Sequence, residues 1–174
     1  MKENITLEKI TYKNYIKVIW GLSVKRSQSS FVASNNNSLA EAYVAITNGC
    51  VALPFAICNN NKPVGFLMIG YGCNDDDLAD EDPEFVKMVI KESYCIWRFM
   101  IDKRYQNRGY GRKAMQLALD YIRTLPCGPA KRIWLSYEPE NELAKKLYAS
   151  FGFKELPQFY KGDKGEEMPA ILQL

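Results

Sequence analysis

The most constraining feature of this sequence is one continuous stretch. Ile96-Trp97-Arg98-Phe99-Met100-Ile101 runs into Asp102 to Arg108, then Gly109-Tyr110-Gly111, then a long amphipathic segment. The first six residues are apolar apart from Arg98 and read as a strand. Ala114, Leu117, Ala118, Tyr121, Ile122 and Leu125 recur at helical spacing and form one apolar stripe. A strand that feeds such a helix must bury the stripe against a sheet, so the chain is a mixed α/β layer structure. Glycines in the connecting loop allow a tight turn and a close ligand approach. The first amides of the helix lack intrahelical partners and, with the helix dipole, suit an anion such as phosphate. Arg104, Arg108, Arg112 and Lys113 add positive charge. A GxxxxGK[ST] loop is absent, and the third glycine of GxGxxG is missing. Alone, Gly109-x-Gly111 reads better as a plain helix start with a convenient turn.

The rest of the chain supplies the layers. Ile5 to Ile10 reads as a strand, and Thr11 as the cap of a helix carrying Tyr12, Ile16, Ile19 and Trp20. Arg26 to Asn37 is rich in Ser and Asn and reads as a loop or a broken helix. Ser38-Leu39-Ala40-Glu41 has capping-box form, which predicts a helix over Leu39 to Thr47. Val51 to Cys58 and Pro63 to Gly72 form a hairpin about Asn59-Asn60-Asn61-Lys62. A helical turn near Glu84 to Ile90 precedes the strand Tyr94 to Ile101. Lys131 to Tyr137 is a further strand. A helix from Glu140 to Phe151 places Leu143, Ala144, Leu147, Tyr148 and Phe151 on one side, with Gly152 at its end. Two short strands about Gly162-Asp163-Lys164-Gly165 close the chain. With 174 residues, this is one domain spanning 1–174.

Composition removes several classes of function. There is no histidine, so a Ser-His-Asp triad, a Cys-His pair and a His-ligated metal site are excluded. The five cysteines are scattered without a CxxC pair and read as reduced, mostly buried thiols. No metal site is expected. No apolar run approaches the roughly 18 residues that span a bilayer, and Met1-Lys2-Glu3-Asn4 does not open a signal peptide. A cytoplasmic location is expected. The net charge is +3 and the isoelectric point about 8.5. Nucleic-acid binding would want a broader basic surface. Asn74 to Glu84 instead carries seven acidic side chains and no basic one.

Gln106-x-x-Gly109-x-Gly111 after an apolar strand resembles the coenzyme A motif of the GCN5-related N-acetyltransferase (GNAT) superfamily. Asn141-x-x-Ala144-x-x-x-Tyr148-x-x-x-Gly152-Phe153 resembles that family's later motif at the right distance. Arg98 to Asp102 with Arg104-Tyr105-Gln106 looks most like bacterial diamine and polyamine acetyltransferases. The resemblance implies a mostly antiparallel central sheet, splayed at the cofactor site and covered by helices on both faces. It implies acetyl-CoA as acyl donor and direct transfer to a primary amine in a ternary complex. The pantetheine arm would pair with the backbone of Phe99, Met100 and Ile101, with an oxyanion donor near Met100. The pyrophosphate would lie on amides from Gln106 through Asn107, Arg108, Gly109, Tyr110, Gly111 and Arg112. Asn141 would contact the cofactor arm, and it is also an ordinary helix-start residue.

Tyr148 matches the family's usual general acid, which gives the leaving thiolate its proton. The base is left open between Glu138, Glu92 and a water chain. Asp75, Asp76 and Asp77 would attract a cationic acceptor such as spermidine or spermine, although a charge run is usually a solvated loop. Glu41 and the loop Ser29 to Asn37 would line the other wall. A homodimer is compatible with the family. Peptide N-termini, amino acids and aminoglycosides are alternative acceptors. A non-catalytic acetyl-CoA or polyamine sensor is the alternative of another class.

Overall fold

The computed structural model describes residues 3–72, 82–163 and 165–174. Their strands are β1 (Ile5–Lys9), β2 (Val51–Asn59), β3 (Lys62–Tyr71), β4 (Ser93–Ile101), β5 (Arg132–Tyr137), β6 (Lys154–Glu155) and β7 (Met168–Gln173). They form one sheet in the order β1-β2-β3-β4-β5-β7-β6. Neighbours are antiparallel except β4 and β5, which are parallel. The helices are α1 (Tyr15–Gly21), α2 (Asn35–Thr47), α3 (Pro83–Phe85, continuing as a π turn over Val86–Ile90), α4 (Tyr110–Arg123) and α5 (Glu142–Ala149). No helix among the described residues is long and apolar enough to cross a membrane.

The strands at the centre are apolar at nearly every position because both faces of the sheet are covered. Successive side chains alternate between the faces. Phe55, Ile57, Leu67, Ile69, Ile133 and Leu135 pack with α4 through Ala114, Met115, Ala118, Leu119 and Ile122. Ala52, Ala56, Cys58, Phe66, Met68 and Met100 pack on the other side with Val18 of α1 and Ala42 of α2. The β2–β3 turn puts Asn60 and Asn61 at φ of 48° and 65°. Two left-handed residues match the right-handed twist of a hairpin.

Three local expectations change. The helix cap before α2 is Ser34, which accepts from the Asn37 N–H; Ser38 is buried inside the helix and donates to the Ser34 carbonyl at 3.1 Å. The extra turn is pinned by Asn35, whose Nδ2 donates to the Val18 carbonyl at 2.7 Å within the core. The chain at Thr11 is a turn, and α1 begins only after Asn14. The apolar side chains Tyr12, Ile16 and Trp20 face outward, and Val18 is the buried contact. Leu125, assigned to the α4 stripe, lies past the helix end at φ 51°.

Two contacts hold β4 in place. At Gly65 of β3, a Cβ would press into the Met100 carbonyl oxygen and come within 2.9 Å of the Ile101 side chain. Only glycine permits that approach. At the end of β4, fully buried Asp102 accepts from the Ser23 N–H at 2.8 Å and from the Arg104 N–H and Nε at 3.0 and 2.7 Å. Burial alone would raise the Asp102 carboxyl. Hydrogen bonds from Arg104 and Ser23 outweigh it and hold the carboxyl below its ordinary range. Asp102 thereby ties the segment after α1 to the loop that follows β4.

Gly65→Ala should cost about 1–3 kcal/mol, the usual range for overpacking, read by chemical denaturation; undiminished stability would show that β4 can yield there. Asp102→Asn should cost about 1–3 kcal/mol at neutral pH by weakening the charge-assisted bonds that this buried carboxylate accepts. Because the folded carboxyl is depressed, its contribution is full at neutral pH and vanishes as pH falls through its folded-state pKa. The stability gap between wild type and variant should therefore close in acid. A gap independent of pH would contradict this.

Candidate active site

The parallel contact between β4 and β5 lasts for three residue pairs, Ser93–Arg132, Tyr94–Ile133 and Cys95–Trp134. On its other side β4 pairs with β3 through Ile69–Ile96 and Met68–Arg98, so Trp97 is an extra residue. Such a bulge bends its strand. Beyond it, β4 and β5 part, and the backbone of Ile96 to Ile101 has no strand partner on the β5 side. Unpaired backbone groups need a partner. A cleft of about 380 Å³ opens at this point.

The loop after β4 forms the near end of the cleft. Asn107 and Gly109 adopt φ of 60° and 75°, so the tight turn uses one asparagine and one glycine. Gly109 caps α4, and Gly111 is helical. Both line the cleft with Tyr110, at the first free amides of the helix. Gln106 braces the loop: its Nε2 donates to the Ile101 carbonyl at 3.0 Å and to Gln28 Oε1 at 2.9 Å. Arg108 lies 5.7 Å from the Tyr105 ring, and Arg112 donates to Ser150 Oγ at 2.9 Å.

α5 supplies the opposite wall. Asn141 caps it, accepting from the Ala144 N–H at 3.2 Å, and also lines the cleft. Further along the helix, Tyr148 lines the cleft while only 8% exposed. Its ring packs against Tyr137 and Phe153, with centroids 5.5 and 5.9 Å away. Its hydroxyl makes no hydrogen bond to another described residue. Burial, and then the charge of Glu167, push its pKa up. The phenol is therefore neutral and holds a proton that it can give to a group entering the cleft.

Of the residues singled out from sequence, the structure brings Phe99, Met100, Ile101, Gln106, Asn107, Gly109, Tyr110, Gly111, Asn141 and Tyr148 together around one cleft. Arg108 and Arg112 flank it. Ser30 to Ala33 line the facing wall, as expected of that loop. Glu41 stands behind the wall and pairs with Arg98 at 2.8 Å. Arg98 itself lines the cleft, donates to the Trp97 carbonyl at 2.9 Å and leaves its buried Nε without a partner among the described residues.

Glu138 is half-buried just beyond β5 but does not line the cleft. Burial, then Glu167 and Glu140, raise its pKa. Glu92 is brought nowhere near these groups. It precedes β4 at the paired end, with φ 57°, and binds Lys131 at 2.6 Å. Asp75, Asp76 and Asp77 lie outside the described residues. Among the described residues Cys50, Cys58, Cys95 and Cys127 form no disulfide, and none lines the cleft. Burial, then Glu8, push the Cys58 thiol up to about 12.

One residue went unread. Glu167 lines the cleft and accepts a hydrogen bond from Ser136 Oγ of β5. Its neighbour Glu166 accepts from the Lys161 and Asp163 N–H groups instead. In the sequence the only signal was a pair of glutamates before the last strand. Adjacent residues of an extended chain point to opposite sides.

Residues 24–153 match the Acetyltransferase (GNAT) family. The chain belongs to that family. It is 28% identical over 155 residues to a spermine/spermidine N(1)-acetyltransferase of Bacillus subtilis, covering 87% of this chain and 88% of the relative. Among solved structures, spermidine N-acetyltransferase from Vibrio cholerae, in complex with CoA and spermine, aligns with a TM-score of 0.65 at 19% identity, over 97% of this chain and 95% of that one. A Bacillus subtilis acetyltransferase in complex with CoA aligns with a TM-score of 0.60 at 12% identity, over 99% of each chain. As a GNAT acetyltransferase the chain uses acetyl-CoA as acyl donor. The residues present fit that molecule: an unpaired strand for its amides, a helix N-terminus for its phosphates and a neutral phenol across the cleft.

Tyr148→Phe removes a hydroxyl with no partner to lose, so the fold should persist. Turnover should fall by about 10²-fold or more, the usual worth of a general acid. The Kd for coenzyme A, measured by calorimetry, should change by less than about twofold. Equal loss of turnover and affinity would assign the phenol to binding.

Proposed function

We propose that this GNAT acetyltransferase acetylates a primary amine of a polyamine or diamine, such as spermidine or spermine, by direct transfer in a ternary complex. The observation that carries this reading is the charge lining of the cleft. Among the described residues only Arg98 and Glu167 line it with charged side chains. Arg98 is already paired with Glu41, so the uncompensated charge is negative and suits a cationic acceptor. The similarity to spermine/spermidine acetyltransferases points the same way.

In this reading the backbone of Phe99, Met100 and Ile101 pairs with the pantetheine arm. The amides from Gln106 through Arg112 hold the pyrophosphate, and Asn141 contacts the arm. The acceptor ammonium first loses a proton to water, and the free amine attacks the thioester carbon. A backbone N–H near Met100 stabilises the oxyanion. The C–S bond then breaks, and Tyr148 gives the thiolate its proton. The nitrogen sheds its second proton to water, and the phenolate recovers one from water. One domain, acting in the cytoplasm, completes the proposal. It includes a homodimer, for which the exposed Trp20 and Ile16 of α1 and Tyr43 of α2 offer a surface.

A second reading is favoured by one detail. The buried Arg98 Nε, which has no partner among the described residues, would suit an acceptor bearing a carboxylate, such as an amino acid. Acetyl-CoA turnover, followed by free-thiol release against spermidine, spermine, putrescine, an amino acid, an aminoglycoside and a short peptide, separates the readings. Polyamines should give the highest kcat/KM, lowered by neutralising Asp75, Asp76 and Asp77. Highest turnover with the amino acid would replace the polyamine by the carboxylate-bearing acceptor. Tight coenzyme A binding with no turnover on any amine would favour a sensor.

A further inference from the structure

Glu167 is anchored but uncompensated. Ser136 Oγ donates to its carboxylate, and no ion pair to Glu167 occurs among the described residues. Among the described residues, the other carboxylates near the cleft do not line it. Glu41 is bound to Arg98, and Glu155 to Lys145 and the Tyr137 hydroxyl. Glu138 sits behind the wall beside Glu140 and is raised by both burial and these neighbours. Among the described residues this end of the cleft is therefore negative, and only Glu167 reaches its surface.

A second observation points to a ligand at the same place. Tyr148, more than nine-tenths buried, lines the cleft with a hydroxyl that no described residue engages. Its pKa is raised in part by Glu167, which places that carboxylate within electrostatic reach of the phenol. Tyr148 is where the reaction is proposed to occur, so Glu167 lines the same cleft as the reacting centre and lies within electrostatic reach of it.

A carboxylate in direct contact with the reacting nitrogen would hold it as an ammonium and oppose attack. The same carboxylate, one short methylene spacer away, holds a second ammonium and leaves the first free to lose its proton. We propose that Glu167, positioned by Ser136, is the specificity residue that binds the non-reacting ammonium of a di- or polyamine acceptor. This rests on the polyamine reading given above.

The test compares spermidine with butylamine, which has an amine and an alkyl chain but no second charge. Glu167→Gln keeps the size and the hydrogen bond to Ser136 while removing the charge. It should lower the preference for spermidine over butylamine about tenfold, carried by KM for spermidine, with kcat for spermidine within about twofold. Ser136→Ala, which frees the carboxylate without discharging it, should shift the preference in the same direction by less. Coenzyme A should still raise the Tm of both variants, which shows that the fold is intact. Equal losses on the two amines, or a loss confined to kcat, would overturn the assignment and leave Glu167 a role in the chemistry or in the fold. An unchanged preference in Glu167→Gln, with wild type still favouring spermidine, would overturn Glu167 alone. A wild-type enzyme that does not favour spermidine over butylamine would overturn the polyamine reading together with this one.

Discussion

The parting of β4 from β5 is the constraint on which the site depends. Two parallel strands that stayed paired would satisfy each other's backbone groups and leave no opening. Here the pairing stops after Cys95–Trp134, and the extra residue Trp97 bends β4 away. The exposed backbone is tolerable only if β4 is held firmly from its other side. Gly65 allows β3 to approach the Met100 carbonyl closely. Asp102 locks the end of the strand to the segment after α1 and to Arg104. The cleft is thus a deliberate gap in an otherwise satisfied sheet, and α4 begins at its mouth.

Electrostatics complete what the gap begins. A phenol in a dry wall keeps its proton because its anion is poorly solvated there, and Tyr148 adds the nearby charge of Glu167 to that effect. Across the cleft the Arg98 guanidinium is neutralised by Glu41. The result is a site with a protonated hydroxyl, a strand of free backbone and a small excess of negative charge. Each property suits a different part of one reaction between an acyl thioester and a cationic amine.

Much of this was legible in the chain. The strand, the loop through Gly109 and the stripe of α4 are local patterns, so their periodicity survives in the sequence. The hairpin is set by Asn60 and Asn61. Tyr148 is a counter-example, because a tyrosine on an apolar helix face reads first as core. Only its spacing from Asn141 and Gly152 marked it, and its hydroxyl, engaged by no described residue, became visible with the cleft. The start of α2 was misplaced because Ser34 and Ser38 both precede residues that suit a helix. The choice between them was made by Asn35, through a bond to Val18 in a different element. Tyr12, Ile16, Ile19 and Trp20 read as one helix, yet Tyr12 falls in the turn before α1, and spacing alone cannot say which face meets the sheet. Glu92, a candidate base in the sequence, falls beside the end of β4 that stays paired with β5.

The sequence by itself determined the order of elements, the phosphate-suited start of α4 and the family to which the chain belongs. These depend on residues near one another along the chain, where spacing and propensity act directly. Only the tertiary structure decided which described carboxylate lines the cleft. Glu167 meets Ser136 because β7 returns antiparallel to β5, pairing Tyr137 with Met168. That register joins residues far apart in sequence and is set by packing of the whole sheet. No local pattern encodes it, so the charge of the cleft was decided by the fold.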